Sequence, residues 1–175
     1  MPKINVPKFS EKLRDILKKN GITLKEKITI DDFEKEVVRY LDKNNVLHLG
    51  TTYRDVPRVT PIEYKHDGLT IYMFSEGGGK FVNLSKNKKV AASIASPYTP
   101  KKDFFGAKGL QIWGKATVYS RKSTPAKFRE CLKIMKIDES RLSPDFNYRV
   151  IKIEPETLRY RNTRSGYRGI TWSKD

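Results

Sequence analysis

The chain has 175 residues, with 36 Lys or Arg against 20 Asp or Glu, a formal net charge of +16 and a pI near 9.9. That length suits one folding unit over residues 1–175, with a helical extension over residues 1–30, and nothing in the composition divides it. The single cysteine, Cys131, excludes an internal disulfide, and no apolar run approaches the roughly 20 residues of a membrane helix, so a cytoplasmic protein without membrane contact is expected.

In chain order, Ser10 caps a helix through Asn20, in which Phe9, Leu13, Ile16 and Leu17 form an apolar stripe and Gly21 ends the segment. This helix reads equally as a dimer arm or a cleft cover. Asp31 and Glu34 form a capping box for a second helix, whose inner side is Phe33, Val37, Tyr40 and Leu41. VLHLGTT and RVTPIEY then alternate as half-buried strands across the turn YRDV, which predicts a hairpin. A second turn at His66, Asp67 and Gly68 leads into a third strand, LTIYMF.

That strand runs out through Ser75, Glu76 and the glycines Gly77, Gly78 and Gly79 before Lys80 opens a short helix with Val82 and Leu84 facing inward. Glycines between a strand end and a helix start let the backbone approach a ligand closely, and the helix start offers free amide donors. With Lys80 and the Ser75 hydroxyl beside them, a phosphate monoester is the natural guest. The alternative is a glycine-rich hairpin tip with a solvated lysine. A nucleoside-triphosphate loop is excluded, because Phe81 occupies the position that such a loop gives to Ser or Thr.

Further on, SPYTPKKDFFG between Ser96 and Gly106 is a loop whose Phe104 and Phe105 serve either as a lid or as loop packing. GLQIWGKATVY is another strand, and Thr124-Pro125 starts a helix that carries Phe128, Cys131, Leu132 and Met135 on one side, which makes Cys131 a buried structural thiol. NYRVIKIEPETLRY reads as strand, turn and strand. Strands joined by short turns, without crossover helices, predict a mainly β fold: an antiparallel barrel of six or so strands with peripheral α-helices.

Two histidines, His48 and His66, make neither a metal triad nor a nucleophile relay. Basic residues that could meet a polyanion are Lys86, Lys88 and Lys89, then Lys101 and Lys102, then Arg159, Arg161, Arg164 and Arg168. Because lysines run along nearly the whole chain, a solvated basic surface around an anionic-cofactor cleft is expected, rather than nucleic-acid binding.

Taken together, VLHLGTTYRDVPRVTPIEY, LTIYMFSEGGGKFVNLSKNKKVAASI and GLQIWGKATVY resemble, in order and spacing, the FMN-binding split barrel of the pyridoxamine 5'-phosphate oxidase superfamily. The resemblance covers Phe33 to Val118 and, more loosely, the chain after Asn147. It implies FMN as cofactor, with Arg58, Val59 and Thr60 lining the isoalloxazine ring, and Arg58 placing positive charge near its pyrimidine edge. It further implies Phe74 and Ser75 beside the ribityl chain or phosphate, Lys80 on the phosphate and Gln111 bonded to the flavin. A homodimer with flavin at the subunit interface follows from the same resemblance.

Towards the C-terminus, ETLRYRNTRSGYRGITWSKD lacks the R-x-H-D-R type of run that holds pyridoxal in the oxidase itself. Tyr160 matches an aromatic residue over the flavin and Arg168 the later arginine, so the resemblance implies flavin binding without extending to vitamin B6 oxidation. A C-terminal histidine like that of haem-degrading relatives is missing too. The resulting expectation is an FMN-dependent oxidoreductase acting on a small molecule. The alternatives are a non-catalytic flavin protein, or the same barrel binding a deazaflavin coenzyme or nucleic acid.

Overall fold

The computed structural model describes residues 1–174. Its strands are β1 (Lys3–Asn5), β2 (Val46–Tyr53), β3 (Val56–Glu63), β4 (Lys65–Asp67), β5 (Thr70–Ser75), β6 (Lys89–Ser96), β7 (Lys108–Ser120), β8 (Arg149–Asn162) and β9 (Tyr167–Ser173). Four helices join them: α1 (Glu11–Lys19), α2 (Ile30–Asp42), α3 (Lys80–Lys86) and α4 (Pro125–Met135).

Every strand pairing is antiparallel, in the order β1-β9-β8-β7-β6-β2-β3, with β5 on the first half of β8 and β4 on β5. β7 follows β8 along its whole length, whereas the other edge of β8 passes from β5, at Arg149–Ile153, to β9, at Thr157–Asn162. The mainly β, barrel-like fold expected from the alternating segments is therefore present, with nine strands rather than six because β1, β4 and β9 extend it.

Two helix and strand boundaries differ from expectation. The cap of α2 is Thr29, two residues before Asp31: its Oγ1 accepts from the Asp32 amide at 3.1 Å and donates to Asp32 Oδ2 at 2.8 Å. Starting earlier brings Ile30 against the core and leaves Asp31 to pair with Lys35 at 2.6 Å. The second difference is that β8 is a single strand through Pro155. Pro155 sits opposite Gly114 where the β7 register shifts, so its missing amide falls at a bulge. A Cβ at Gly114 would lie 2.3 Å from the Glu154 carbonyl oxygen, so only glycine permits this approach.

The main core joins Phe33, Val37, Tyr40 and Leu41 of α2 to Leu47, Leu49, Ile71, Ile94, Leu110, Ile112, Ile151 and Leu158 of the sheet, with Leu84 of α3 closing one side. A second cluster forms under α4 from Phe128, Cys131, Leu132 and Met135 against Tyr72, Tyr148 and Val150. Burial pushes the Cys131 thiol above its ordinary pKa, as a structural cysteine requires. Among the described residues no helix is long and apolar enough to cross a membrane.

Candidate functional site

β5 ends at Ser75 and the chain turns through Glu76 and three glycines into α3. Gly78 has φ +109°, a conformation that side chains rarely adopt, and the turn folds back so that Ser75 Oγ donates to the Gly77 carbonyl at 3.1 Å. Lys80 Nζ donates to the same carbonyl at 2.6 Å. Lys80 is only 7% exposed, and burial, followed by the charges of Arg58 and Arg149, holds its pKa below the usual lysine value.

Arg58 reaches this turn from the edge strand β3. Its guanidinium lies against Gly79, where a Cβ would come within 2.7 Å of Nη2. Arg149 arrives from β8, directly opposite Ser75, and its guanidinium stands 4.7 Å from the Phe81 ring centroid, while Lys80 Nζ stands 5.0 Å from the same ring. Among the described residues none of Arg58, Lys80 and Arg149 has an acidic partner. Three cations thus converge on one glycine turn without compensation. The helix behind them is pinned to β2 by Asn83 Nδ2 on Thr51 Oγ1 at 3.1 Å and Asn87 Nδ2 on the Thr52 carbonyl at 3.2 Å.

A cleft of about 480 Å³ opens beside the turn, lined by Pro57, Arg58, Val59, Gly79, Val82 and Asn83 among others. Of the expected site residues, Arg58 and Val59 line it, and Ser75 and Lys80 build its turn. Thr60 is half-buried on the inward side of β3, opposite Leu49. The Phe74 ring stacks on Tyr148 at 5.1 Å beneath α4, against the second core. Tyr160 is buried among Phe33, Tyr40 and Tyr167 with its hydroxyl donating to Glu36 Oε1 at 3.0 Å, because residue 160 pairs with the inward-facing Leu110.

Gln111 and Arg168 occupy a different cavity. Directly paired residues share a face of a sheet, and residues an odd number apart on one strand do not. Arg58 pairs with the buried Thr51, whereas Gln111 pairs with Ser93, and Ser93 with His48, three residues from Thr51. Arg58 and Gln111 therefore project from opposite faces of the sheet.

Arg149 is the site residue that sequence reasoning overlooked. It opens β8 on the face of Ile151 and Ile153, and only the pairing with β5 brings it to Ser75. The basic clusters fare differently: Lys88 Nζ caps α3 at the Leu84 carbonyl and Arg164 binds Asp103 and the Asn20 carbonyl, whereas Arg159, Arg161 and Arg168 stay together. The Arg164 contacts tie the 96–106 loop to the end of α1, away from the glycine turn, and leave Phe104 exposed.

A family profile described as Pyridoxamine 5'-phosphate oxidase matches residues 33–162, most of the chain and all of β2 to β8. The chain belongs to the pyridoxamine 5'-phosphate oxidase family. A Listeria innocua protein provisionally named a pyridoxamine 5'-phosphate oxidase is 28% identical over 73% of this chain and 97% of its own, with a TM-score of 0.57. General Stress Protein 26 from Bacillus anthracis is 21% identical over 73% of this chain and 92% of its own, with a TM-score of 0.53. For a FAD-binding protein from Mesorhizobium loti the identity is 15%, the coverage 81% and 94%, and the TM-score 0.54. The latter two are likenesses of fold. Among curated proteins none matches the sequence. Both ends of this family member, residues 1–32 and 163–175, lie outside the matched span.

Proposed function

We propose that this chain is an FMN-dependent oxidoreductase that works as a homodimer. The observation that carries the reading is the uncompensated convergence of Arg58, Lys80 and Arg149 on the Gly77–Gly79 turn, in a fold of the pyridoxamine 5'-phosphate oxidase family. Like charges held together without a counterion cost free energy that a bound phosphate dianion relieves, and the glycines leave room for its oxygens near the backbone. Those residues fit the phosphate end of FMN. Val59, 67% exposed beside the same cleft, offers apolar surface to the ring system.

The opposed faces of Arg58 and Gln111 support the dimer. Two copies would let one flavin meet both side chains, the glycine turn coming from one and Gln111 with Arg168 from the other. Val59 and Trp113 are large apolar side chains exposed on the Gln111 face of this sheet, and a second copy would cover them. When bound, the flavin supplies hydride transfer at N5; the chain's own residues hold the phosphate, orient the ring and set the local field. The test is the absorbance spectrum of the purified protein, with FMN titration and a sizing column in parallel. Flavin bands, or stoichiometric FMN uptake by a dimer, are expected, followed by bleaching on addition of a nicotinamide nucleotide. Absence of FMN uptake overturns the reading, and uptake without turnover by any donor reduces it to a flavin carrier.

A further inference from the structure

A cavity of about 470 Å³ opens between the C-terminal half of α2, the 96–106 loop, the start of β7 and the end of β8. It is separate from both flavin half-sites. Asn162, in its wall, pairs with Lys108, three residues from Gln111 on β7, so Asn162 and Gln111 project from opposite faces of the sheet. Arg149, beside the glycine turn, stands at the other end of β8. The floor of this cavity is made of acceptors that the chain leaves short of donors. The Glu36 side chain is only 15% exposed, and its Oε1 accepts from the Tyr160 hydroxyl at 3.0 Å and from Asn162 Nδ2 at 3.5 Å. Its Oε2 has only Arg39 Nη1, at 3.6 Å, which is longer than a hydrogen bond. Asn162 is 7% exposed, and among the described residues its Oδ1 is the one buried side-chain polar atom without a hydrogen-bond partner. Turning the amide over would set that oxygen against the Glu36 carboxylate, so its orientation is fixed. A buried acceptor left unpaired costs free energy that a bound donor recovers.

The rim has the opposite character. Lys43 stands at the C-terminal end of α2 and Lys108 at the start of β7, both exposed, and among the described residues neither forms a salt bridge. Asp103 does not neutralise them, because both of its carboxylate oxygens accept from Arg164. The polar groups of the wall satisfy one another: the Tyr40 hydroxyl lies 3.0 Å from Ser96 Oγ, which donates to Asn44 Oδ1 at 3.4 Å. Two needs are left unmet, a donor at the floor and an anion at the rim.

We infer that this cavity binds a small zwitterion of the amino-acid type, its ammonium group on Glu36 Oε2 and Asn162 Oδ1 and its carboxylate between Lys43 and Lys108. An ammonium carries three donors and no acceptor, which suits two unmet oxygens, whereas a carboxylate at the floor would be repelled by Glu36. A plain amine leaves the lysines as they are, and a plain anion leaves the floor as it is; only a molecule with both ends meets both needs. The volume falls within the range of small-molecule pockets. This site does not rest on the flavin reading.

The test is calorimetric titration of the full chain, with and without FMN, at 0.15 M salt and neutral pH. Glycine, 4-aminobutyrate and 6-aminohexanoate serve as zwitterions of increasing length, with butyrate and butylamine as controls that keep one end each. At least one zwitterion is expected to bind ten or more times more tightly than either control. Glu36→Gln keeps an acceptor for the Tyr160 hydroxyl but removes the floor charge, so it should abolish the advantage over butyrate. K43Q/K108Q should abolish the advantage over butylamine, and because both side chains are exposed it serves as the test if the Glu36 variant does not fold. K122Q/K133Q, which removes the same charge from exposed positions at α4, should change neither. Failure of every zwitterion to bind, equal affinity for zwitterions and controls, or equal behaviour of the two lysine pairs overturns the inference. Flavin fluorescence on the same samples separates the two readings. A zwitterion that displaces FMN sits in the flavin cleft and overturns the inference, whereas zwitterion binding without FMN uptake refutes the flavin assignment alone.

Discussion

Replacing Lys80 with alanine is the sharpest test of the glycine turn, because FMN and riboflavin differ only in the phosphate. A hydrogen bond between charged groups contributes roughly 1.5–3 kcal/mol, and each 1.4 kcal/mol is about tenfold in affinity, so an upper range of about 10- to 150-fold applies. Two features of the turn pull the figure down. In the free protein Lys80 Nζ already donates to the Gly77 carbonyl, a bond that must be given up or shared. Its removal also relieves repulsion with Arg58 and Arg149, which remain to hold the phosphate. A loss of about 10- to 50-fold for FMN follows from these terms, with riboflavin changed less than about twofold. Titration by quenching of flavin fluorescence measures both. Equal losses for the two flavins would mean that Lys80 supports the fold of the turn and does not meet the phosphate, and the phosphate assignment would fail.

The depressed pKa of Lys80 makes a second prediction. A bound dianion raises that pKa again, so above the second phosphate pKa of about 6 FMN affinity is level until pH rises through the free-protein value of Lys80, below 10.5, and then falls; riboflavin affinity shows no such fall, and an FMN profile that stays level there would refute the coupling. Gly78→Ala forces a side chain into φ +109° and should cost about 1–3 kcal/mol, visible as a lower Tm together with weaker FMN binding. Unchanged FMN affinity would show that the turn adapts. Tyr160→Phe removes the donor to Glu36 and should cost about 1 kcal/mol in denaturant unfolding, with FMN affinity unchanged; a large loss of FMN affinity would return Tyr160 to the flavin.

The glycine turn, α1 with its Ser10 cap and the β2–β3 hairpin could be read from the sequence because each depends on residues close together in the chain. Arg149 could not, since it reaches Ser75 through a pairing between segments more than seventy residues apart. Where the Tyr160 and Phe74 side chains pack could not be read for a related reason: an aromatic residue in a strand is equally suited to a ligand face and a core face, and only the register decides. Pro155 looked like a turn because proline usually ends a strand, and the bulge at Gly114 that accommodates it is visible only from the partner strand. The cavity floored by Glu36 and Asn162 needed α2, the 96–106 loop, the start of β7 and the end of β8 at once.

β8 also governs how the chain assembles. Until residues 149–162 are available, β5 has only the three-residue β4 beside it and one edge of β7 is unpaired. On the ribosome, four-fifths of the protein would emerge with two bare apolar edges, and both close only when one late strand enters between them. Nothing earlier in the chain can substitute for it, so synthesis and barrel closure are separate events, with exposure to aggregation in the interval between them.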